Sequence, residues 1–553
     1  MKKKKLLIIG LDGGTYTFMD PLIKEGKLPN IEKLINGGVK AVLRSTIPPI
    51  TSPAWVTFMT GKNPGKHGFF DFFKYDIKNP DYYFAPAPQD ALKKFVKNFM
   101  NSHNYAGQTI FDFLGQSGYK VASIFMPMTY PPWPINGYMV SGYPVLDFDK
   151  PTTYPEQWSK ELGPIFDNSA LLTRNKEKLI KECKRLVEKT TDITLKQLSK
   201  NECDVLALVY SSIDFSQHRL WLDSKEDASP YKNVISEMYA QVDKDIGRIT
   251  SQVGEDTSIV ILSDHGFCAC PEKAFSLNAW LAQEKYLTPQ KKNILANLND
   301  RILNYLRHNK ITTIVAARRI LSKLPLFFRQ KASSAYYKGA QIDWTKTKAC
   351  RYKMGPCEGI VINKIGRQKV GIVAEGTEYN DLRDEIISKL ETLKDPQNGQ
   401  KIVREIYRRE DLYNGNFVEE VPDIVIVLNS SYMGGLEVDG PIVQPVTDEF
   451  RDVYSGQHDL DGILILKGTK FKEKDDIGTV NMVDVAPTLL FDLDLPISTD
   501  IDGKVIYSAF KEQFASRQAK LGNISEKQFE EQEFSDQEKE KIEKSLRSLG
   551  YLE

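Results

Sequence analysis

Leu6-Leu7-Ile8-Ile9-Gly10-Leu11-Asp12-Gly13-Gly14 is the stretch that decides the fold. Its first six residues are apolar without alternation, so the strand they predict is buried on both faces, as in a parallel sheet sandwiched by helices. The run stops at an acidic residue and two glycines, at the carboxyl end of the strand, where such sheets place their ligands. Val121 to Phe125, Val205 to Tyr210, Ser258 to Leu262, Ile424 to Leu428 and Ile463 to Leu466 repeat the pattern between longer helical stretches. The expected fold class is therefore α/β, with a mostly parallel central sheet sandwiched by helices.

Working outward, Met1-Lys2-Lys3-Lys4-Lys5 ahead of the first run has the look of a signal peptide, but the apolar stretch ends too soon for an h-region. No apolar stretch reaches the ~20 residues of a membrane span. At 553 residues the chain is long enough for one large α/β domain with insertions, or for two to three domains. A content of 41% hydrophobic and 27% charged residues excludes general disorder. Lys+Arg 74 against Asp+Glu 73 gives no whole-chain attraction to nucleic acid. The six cysteines lack zinc-ribbon spacing and read as reduced thiols of a cytoplasmic protein, Cys268-Ala269-Cys270 included.

The organisation expected is a catalytic core over residues 1–280, a helical insertion over 281–345, a small subdomain over 346–430, the rest of the core over 431–510 and a charged helical tail over 511–553. Residues 78–104 read as an irregular surface excursion. Within the insertion, residues 291–331 carry ten basic side chains against one acid, Asp300. The plain reading is a solvated helical hairpin; the sharper one is a peripheral contact with an anionic membrane or a lipid-linked substrate.

Chemistry-bearing residues gather where the apolar runs end. Asp12 follows the first run, Asp214 and His218 follow Val205 to Tyr210, Asp264-His265 follows Ser258 to Leu262, and His458 precedes Ile463 to Leu466. Asp214 and His218, four apart, share one helical face and suit a common cation. The adjacent Asp264 and His265 point in different directions and serve either two metals about 4 Å apart or one metal from two sides. In Thr51-Ser52-Pro53-Ala54-Trp55, Pro53 suits a first helical turn with Ser52 or Thr51 as N-cap, which sets a hydroxyl where a helix N-terminus receives phosphate. Beside two metals that hydroxyl becomes a nucleophile.

These residues, with Thr60 to Gly68, Ser212 to His218, Ser263 to Phe267, Gly456 to His458 and Asp484 to Leu490, resemble the alkaline phosphatase superfamily in its type I phosphodiesterase/nucleotide pyrophosphatase branch. The resemblance runs in the family's order over about residues 6 to 505. It implies an alkaline phosphatase-like fold with a small α/β cap, and two divalent cations, zinc by expectation with manganese also suited. One cation falls to Asp12, Thr51, Asp264 and His265, the other to Asp214, His218 and His458; Thr51 is the implied nucleophile, ahead of Ser52. His67 is left a structural role, while Arg351, Lys353 and Arg367 are candidate substrate contacts in the cap.

Two departures bear on specificity. The family's Thr-x-Pro-Asn motif carries an Asn that helps hold a phosphoryl oxygen, and that position is Ala54 here, so the phosphate clamp is expected elsewhere. The sulfatases' Cys-x-Pro-x-Arg is absent, with Thr51-x-Pro53-x-Trp55 in its place. The expected activity is two-metal hydrolysis of a small or lipid-linked phosphate ester, foremost a diester, through a phospho-threonine intermediate. A phosphomonoesterase or phosphoglycerate-mutase-like phosphotransferase is the alternative within enzymes; a metal-containing binding protein for anionic head groups is the alternative outside them.

Overall fold

In the computed structural model the described residues are 5–74, 76–78, 99–145, 151–165, 175–200, 202–290, 342–522 and 538. The expected basic segment 291–331 lies outside them, as do most of the 78–104 excursion and the tail beyond residue 522 apart from 538.

Nine strands form the central sheet: β1 (Leu6–Leu11), β2 (Val39–Arg44), β3 (Val121–Met126), β4 (Gly137–Ser141), β5 (Thr153–Tyr154), β6 (Val205–Tyr210), β7 (Ser258–Leu262), β8 (Asp461–Lys467) and β9 (Asp475–Asn481). Their spatial order is β9-β2-β8-β7-β1-β6-β3-β4-β5. The first apolar run is the middle of this sheet. Its six residues are all buried, and it pairs in parallel with β6 on one side and β7 on the other. Parallel pairing continues from β6 to β3 and β4, and joins β9 to β2. The exceptions are β8, antiparallel to both β2 and β7, and the short edge strand β5.

The helix Lys176–Lys200 shows why the layers adhere. It buries Leu179, Cys183, Leu186, Val187, Thr190 and Thr194, spaced by three and four so that they share one face, and it joins the core cluster that contains β1, β3, β6 and β7.

Ile424 to Leu428 departs from expectation. It belongs to a separate four-stranded antiparallel sheet with Ala349–Met354, Cys357–Ile362 and Val403–Arg408. Its two faces serve two cores. Ile424, Ile426 and Leu428 pack with Tyr379, Leu382, Ile386 and Leu390 of the helix Thr377–Glu391, while Val425 and Val427 pack with Ile47, Tyr413 and Leu460. A strand buried on both faces reads as continuous apolar whichever sheet holds it. The second face brings this sheet against the central one, where Arg404 meets Asp459 at 3.0 Å and Asp461 at 3.1 Å and Glu405 pairs with Arg44.

Candidate functional site

Each candidate side chain is delivered by the end of a central strand or by the loop that follows it. Asp12 comes directly after β1. The helix α1 (Thr51–Thr60) begins at Thr51, and the helix α2 (Ser212–Leu220) follows β6 and carries Asp214 and His218 one turn apart. Asp264 and His265 follow β7. His458 lies on the short strand Gly456–Asp459, which pairs antiparallel with Gly266–Ala269 and sets His458 opposite Phe267, two residues from His265.

The side chains gather into two triads. Asp12, Asp264 and His265 offer ligand atoms that all lie within 4.8 Å of one another, and so do Asp214, His218 and His458. The triads adjoin, because the His265 and His458 rings stack with centroids 3.5 Å apart at 19°. Thr51 Oγ1 stands 3.3 Å from His265 Nε2. All seven residues expected from the sequence are therefore side by side.

The hydrogen-bond pattern bears on what the triads can hold. His218 Nδ1 faces Gly456 O at 3.3 Å, His458 Nδ1 faces Pro49 O at 2.9 Å and His265 Nδ1 faces Gly266 O at 3.0 Å. A carbonyl only accepts, so each Nδ1 bears the proton and each Nε2 presents a lone pair. His218 Nε2 and His458 Nε2 nevertheless face each other at 2.9 Å, and both stand 3.4 Å from Asp214 Oδ1. Asp12 Oδ1, Asp214 Oδ1 and Asp264 Oδ2 are buried and receive no hydrogen bond among the described residues. Lone pairs converging in a buried space repel one another unless a cation stands between them. The residues thus fit divalent ions, and the donor set of imidazole and carboxylate without thiolate is of the kind zinc and manganese accept.

Burial works against the charged forms throughout. It raises Asp214 to about 6 and Asp264 to about 7 and, with the neighbouring Asp264 and Asp214, raises Asp12 well above the ordinary carboxylate range. It lowers His218 and His458 to about 4 and takes His265 well below the usual imidazole value. The imidazoles are held neutral, the state in which they ligate metals.

The expected capping hydroxyl is absent. Ile50, in extended conformation, is the N-cap of α1, and no side chain caps the helix. Thr51 and Ser52 instead occupy the first two helical positions, with Pro53 next. Ser52 Oγ is buried without a hydrogen-bond partner among the described residues. Ala54 is fully buried, and its N–H bonds Ile50 O at 3.1 Å, so this position supplies no side-chain amide.

Two of the cap arginines are engaged elsewhere. Arg351 forms a buried pair with Glu358, and Arg367 grips Asp423 through two bonds of 2.7 and 2.6 Å. They hold their own sheet together. Lys353 lies on the strand Ala349–Met354 and lines a small cleft with Gly68, Phe70 and Lys74. His67 accepts from Phe69 N at 3.1 Å and bonds Thr57 Oγ1 at 2.9 Å, which fixes the turn after α1. All six cysteines are thiols, with no disulfide among the described residues, and burial pushes Cys268 and Cys270 up to about 12 and about 11. The sequence reading gave no role to Gln217, although it lies between Asp214 and His218; its side chain bonds Gly13 O at 2.8 Å. A polar residue three after Asp214 and one before His218 was the signal.

Residues 6–437 match a family model of phosphodiesterases, and the protein is a hydrolase acting on phosphate ester bonds. More narrowly, the chain belongs to the type I phosphodiesterase/nucleotide pyrophosphatase family, whose model matches residues 6–437. Among solved structures, human ectonucleotide pyrophosphatase/phosphodiesterase 5 is similar at 13% identity and a TM-score of 0.46, covering 92% of this chain and 98% of that one. No curated protein sequence matches the chain. Among the described residues no helix is long and apolar enough to cross a membrane.

Proposed function

We propose that the protein is a two-cation phosphodiesterase in which Thr51 is the nucleophile. The observation that carries this reading is the placement of Thr51: a buried hydroxyl at the first position of α1, 3.3 Å from His265 of one triad, whose ring stacks on His458 of the other. Asp12, Thr51, Asp264 and His265 would hold one cation, and Asp214, His218 and His458 the second, with zinc the ion this donor set suits and manganese its competitor. Bound there, divalent cations polarise a phosphoryl oxygen and lower the pKa of a coordinated hydroxyl.

The chain's own residues do the rest. Thr51 Oγ1 forms the bond to phosphorus as the bond to the leaving alcohol breaks, and the threonine proton ends on that alcohol. The phosphate carried by Thr51 then sits at the N-terminus of α1, where the helix dipole favours negative charge. Water cleaves the phospho-threonine ester, which restores the hydroxyl and releases a phosphate monoester. Pro48 to Ile50 fix the approach to Thr51, since Pro49 O is held by His458 Nδ1 at 2.9 Å.

Turnover of bis(p-nitrophenyl) phosphate against p-nitrophenyl phosphate, beside a metal-stripped control, tests the reading. Diester turnover that is lost on stripping and returns with Zn2+ or Mn2+ is expected. Preference for the monoester would replace the diesterase with a monoesterase, and binding without turnover of either would remove the enzyme.

A further inference from the structure

Gln217 is fully buried, and both ends of its amide are engaged. Its Nε2 donates to Gly13 O at 2.8 Å, and its Oε1 accepts from the Tyr239 hydroxyl at 3.2 Å. Gly13 O can only accept, so the amide orientation is determined by the bond itself. The Tyr239 oxygen in turn accepts from Thr15 N at 3.1 Å, which ties both ends of the Gly13–Thr15 turn to the same pair of side chains.

Gly13 lies between Asp264 of one triad and Asp214 of the other. Its N–H donates to Asp264 Oδ1 at 3.1 Å, and its neighbour Asp12 is a second member of the same triad. A Cβ on Gly13 would lie 3.1 Å from Gln217 Nε2 and 3.2 Å from Asp214 Oδ1, and its φ of +66° is one that L side chains rarely adopt. A continuous line of hydrogen bonds therefore runs from α2, which carries Asp214 and His218, through Gln217 and Gly13 to the carboxylate of Asp264.

We propose that Gln217 is a positioning residue that couples the two triads, by fixing the Asp12–Gly13 turn of one against the helix that carries the other. This rests on the two-cation reading of the site. The bond to Gly13 O holds the Gly13 N–H on Asp264 Oδ1, which leaves Asp264 Oδ2, 3.1 Å from His265 Nε2, directed at the cation position. Without the amide, the turn loses its tie to α2. Partners that hydrogen-bond a metal-ligating side chain typically change metal affinity by about 10–100-fold when removed, and Gln217 acts on Asp264 through the Gly13 backbone.

The test is calorimetric titration of Zn2+ into the chelator-stripped full chain, for the wild type, Gln217→Met and Tyr239→Phe, with thermal melts of each stripped and Zn2+-loaded protein. Two ions should bind per wild-type chain; if none binds, the metal reading itself fails before any variant is compared. Gln217→Met, close to isosteric but without donor or acceptor, should weaken both sites by about 10-fold or more and shrink the Zn2+-induced rise in Tm. A merely structural glutamine would lower the Tm of stripped and loaded protein equally and leave both affinities within about twofold of wild type, well short of the typical range, and that result overturns the proposal. Should Gln217→Met fail to fold, Tyr239→Phe decides. It removes the anchor on Oε1 and the acceptor for Thr15 N, both of them ties to the Gly13–Thr15 turn, so a several-fold loss of Zn2+ affinity supports the coupling and unchanged affinity overturns it.

Discussion

Thr51 and Ser52 are neighbours at the start of one helix, both are buried hydroxyls, and only their surroundings separate them. Thr51 Oγ1 faces His265 Nε2, whereas Ser52 Oγ meets no hydrogen-bond partner among the described residues. Thr51→Ala should lower kcat for a diester by about 10³-fold or more, because it removes the hydroxyl that attacks phosphorus in the proposed reaction. Ser52→Ala should leave kcat close to wild type and stability within about 0.5 kcal/mol or slightly raised, since removing an unsatisfied buried hydroxyl removes its desolvation cost. Steady-state kinetics and urea denaturation of the two variants check both halves, and the reverse pattern would transfer the role to Ser52. The residues of the two triads were legible in the sequence because Asp12, Asp214 and Asp264 each follow an apolar run that announces a strand end. The roles of Arg351 and Arg367 were not. The carboxylates that occupy them lie 7 and 56 residues away, and a local reading of basic residues cannot see a partner brought in by sheet pairing.

Among the elements, α1 is positioned from behind by the hairpin of Ala349–Met354 and Cys357–Ile362. Gly355, at the hairpin tip with φ +61°, lies where a Cβ would run into Ile50 Cδ1, the residue just before Thr51. Gly355→Ala should therefore cost the left-handed backbone penalty of roughly 1 kcal/mol and a packing clash on top of it, about 1–3 kcal/mol together, and should lower kcat by shifting Ile50. Gly399 separates the two terms, since its φ is +73° but a Cβ there meets nothing within 4 Å. Gly399→Ala should show the backbone penalty alone, with kcat unchanged. Equal effects of the two substitutions on stability and rate would mean that the hairpin tip does not support the Thr51 loop. Strands at the centre were legible to the residue, as Leu6–Leu11, Val205–Tyr210 and Ser258–Leu262 coincide with their apolar runs. Val39–Arg44 passed unnoticed because Lys40 and Arg44 interrupt it, although Val39, Ala41 and Leu43 are its buried face. Sheet membership was the harder question, since Ile424–Leu428 is apolar on both faces for reasons that involve two different cores.

At the scale of the whole molecule the triads join residues from 12 to 458, so cation binding and folding stability are linked. Stripping with chelator should lower Tm, and Zn2+ at 100 times its Kd should restore about 2.7 kcal/mol per site. The pH dependence of that gain follows from which ligands hold protons. In the folded chain without cations, Asp214 at about 6 and Asp264 at about 7 retain protons that an unfolded chain, near 3.8, has already lost. These carboxylates therefore destabilise the stripped protein increasingly as pH rises from about 4 towards 7. His218 and His458, at about 4 when folded against 6.5 unfolded, act in the opposite sense, with stability rising over about pH 4 to 6.5. Above that interval only the carboxylates still titrate. Ions entering at neutral pH thus find the imidazoles ready and must displace protons from the carboxylates alone. Mn2+ affinity should rise between about pH 6 and 8, and proton release per ion should be greater at the lower pH. Titration calorimetry in two buffers of different ionisation enthalpy measures both quantities. Equal proton release at the two pH values, or affinity that falls as pH rises, would show that the buried carboxylates are not what the cations displace.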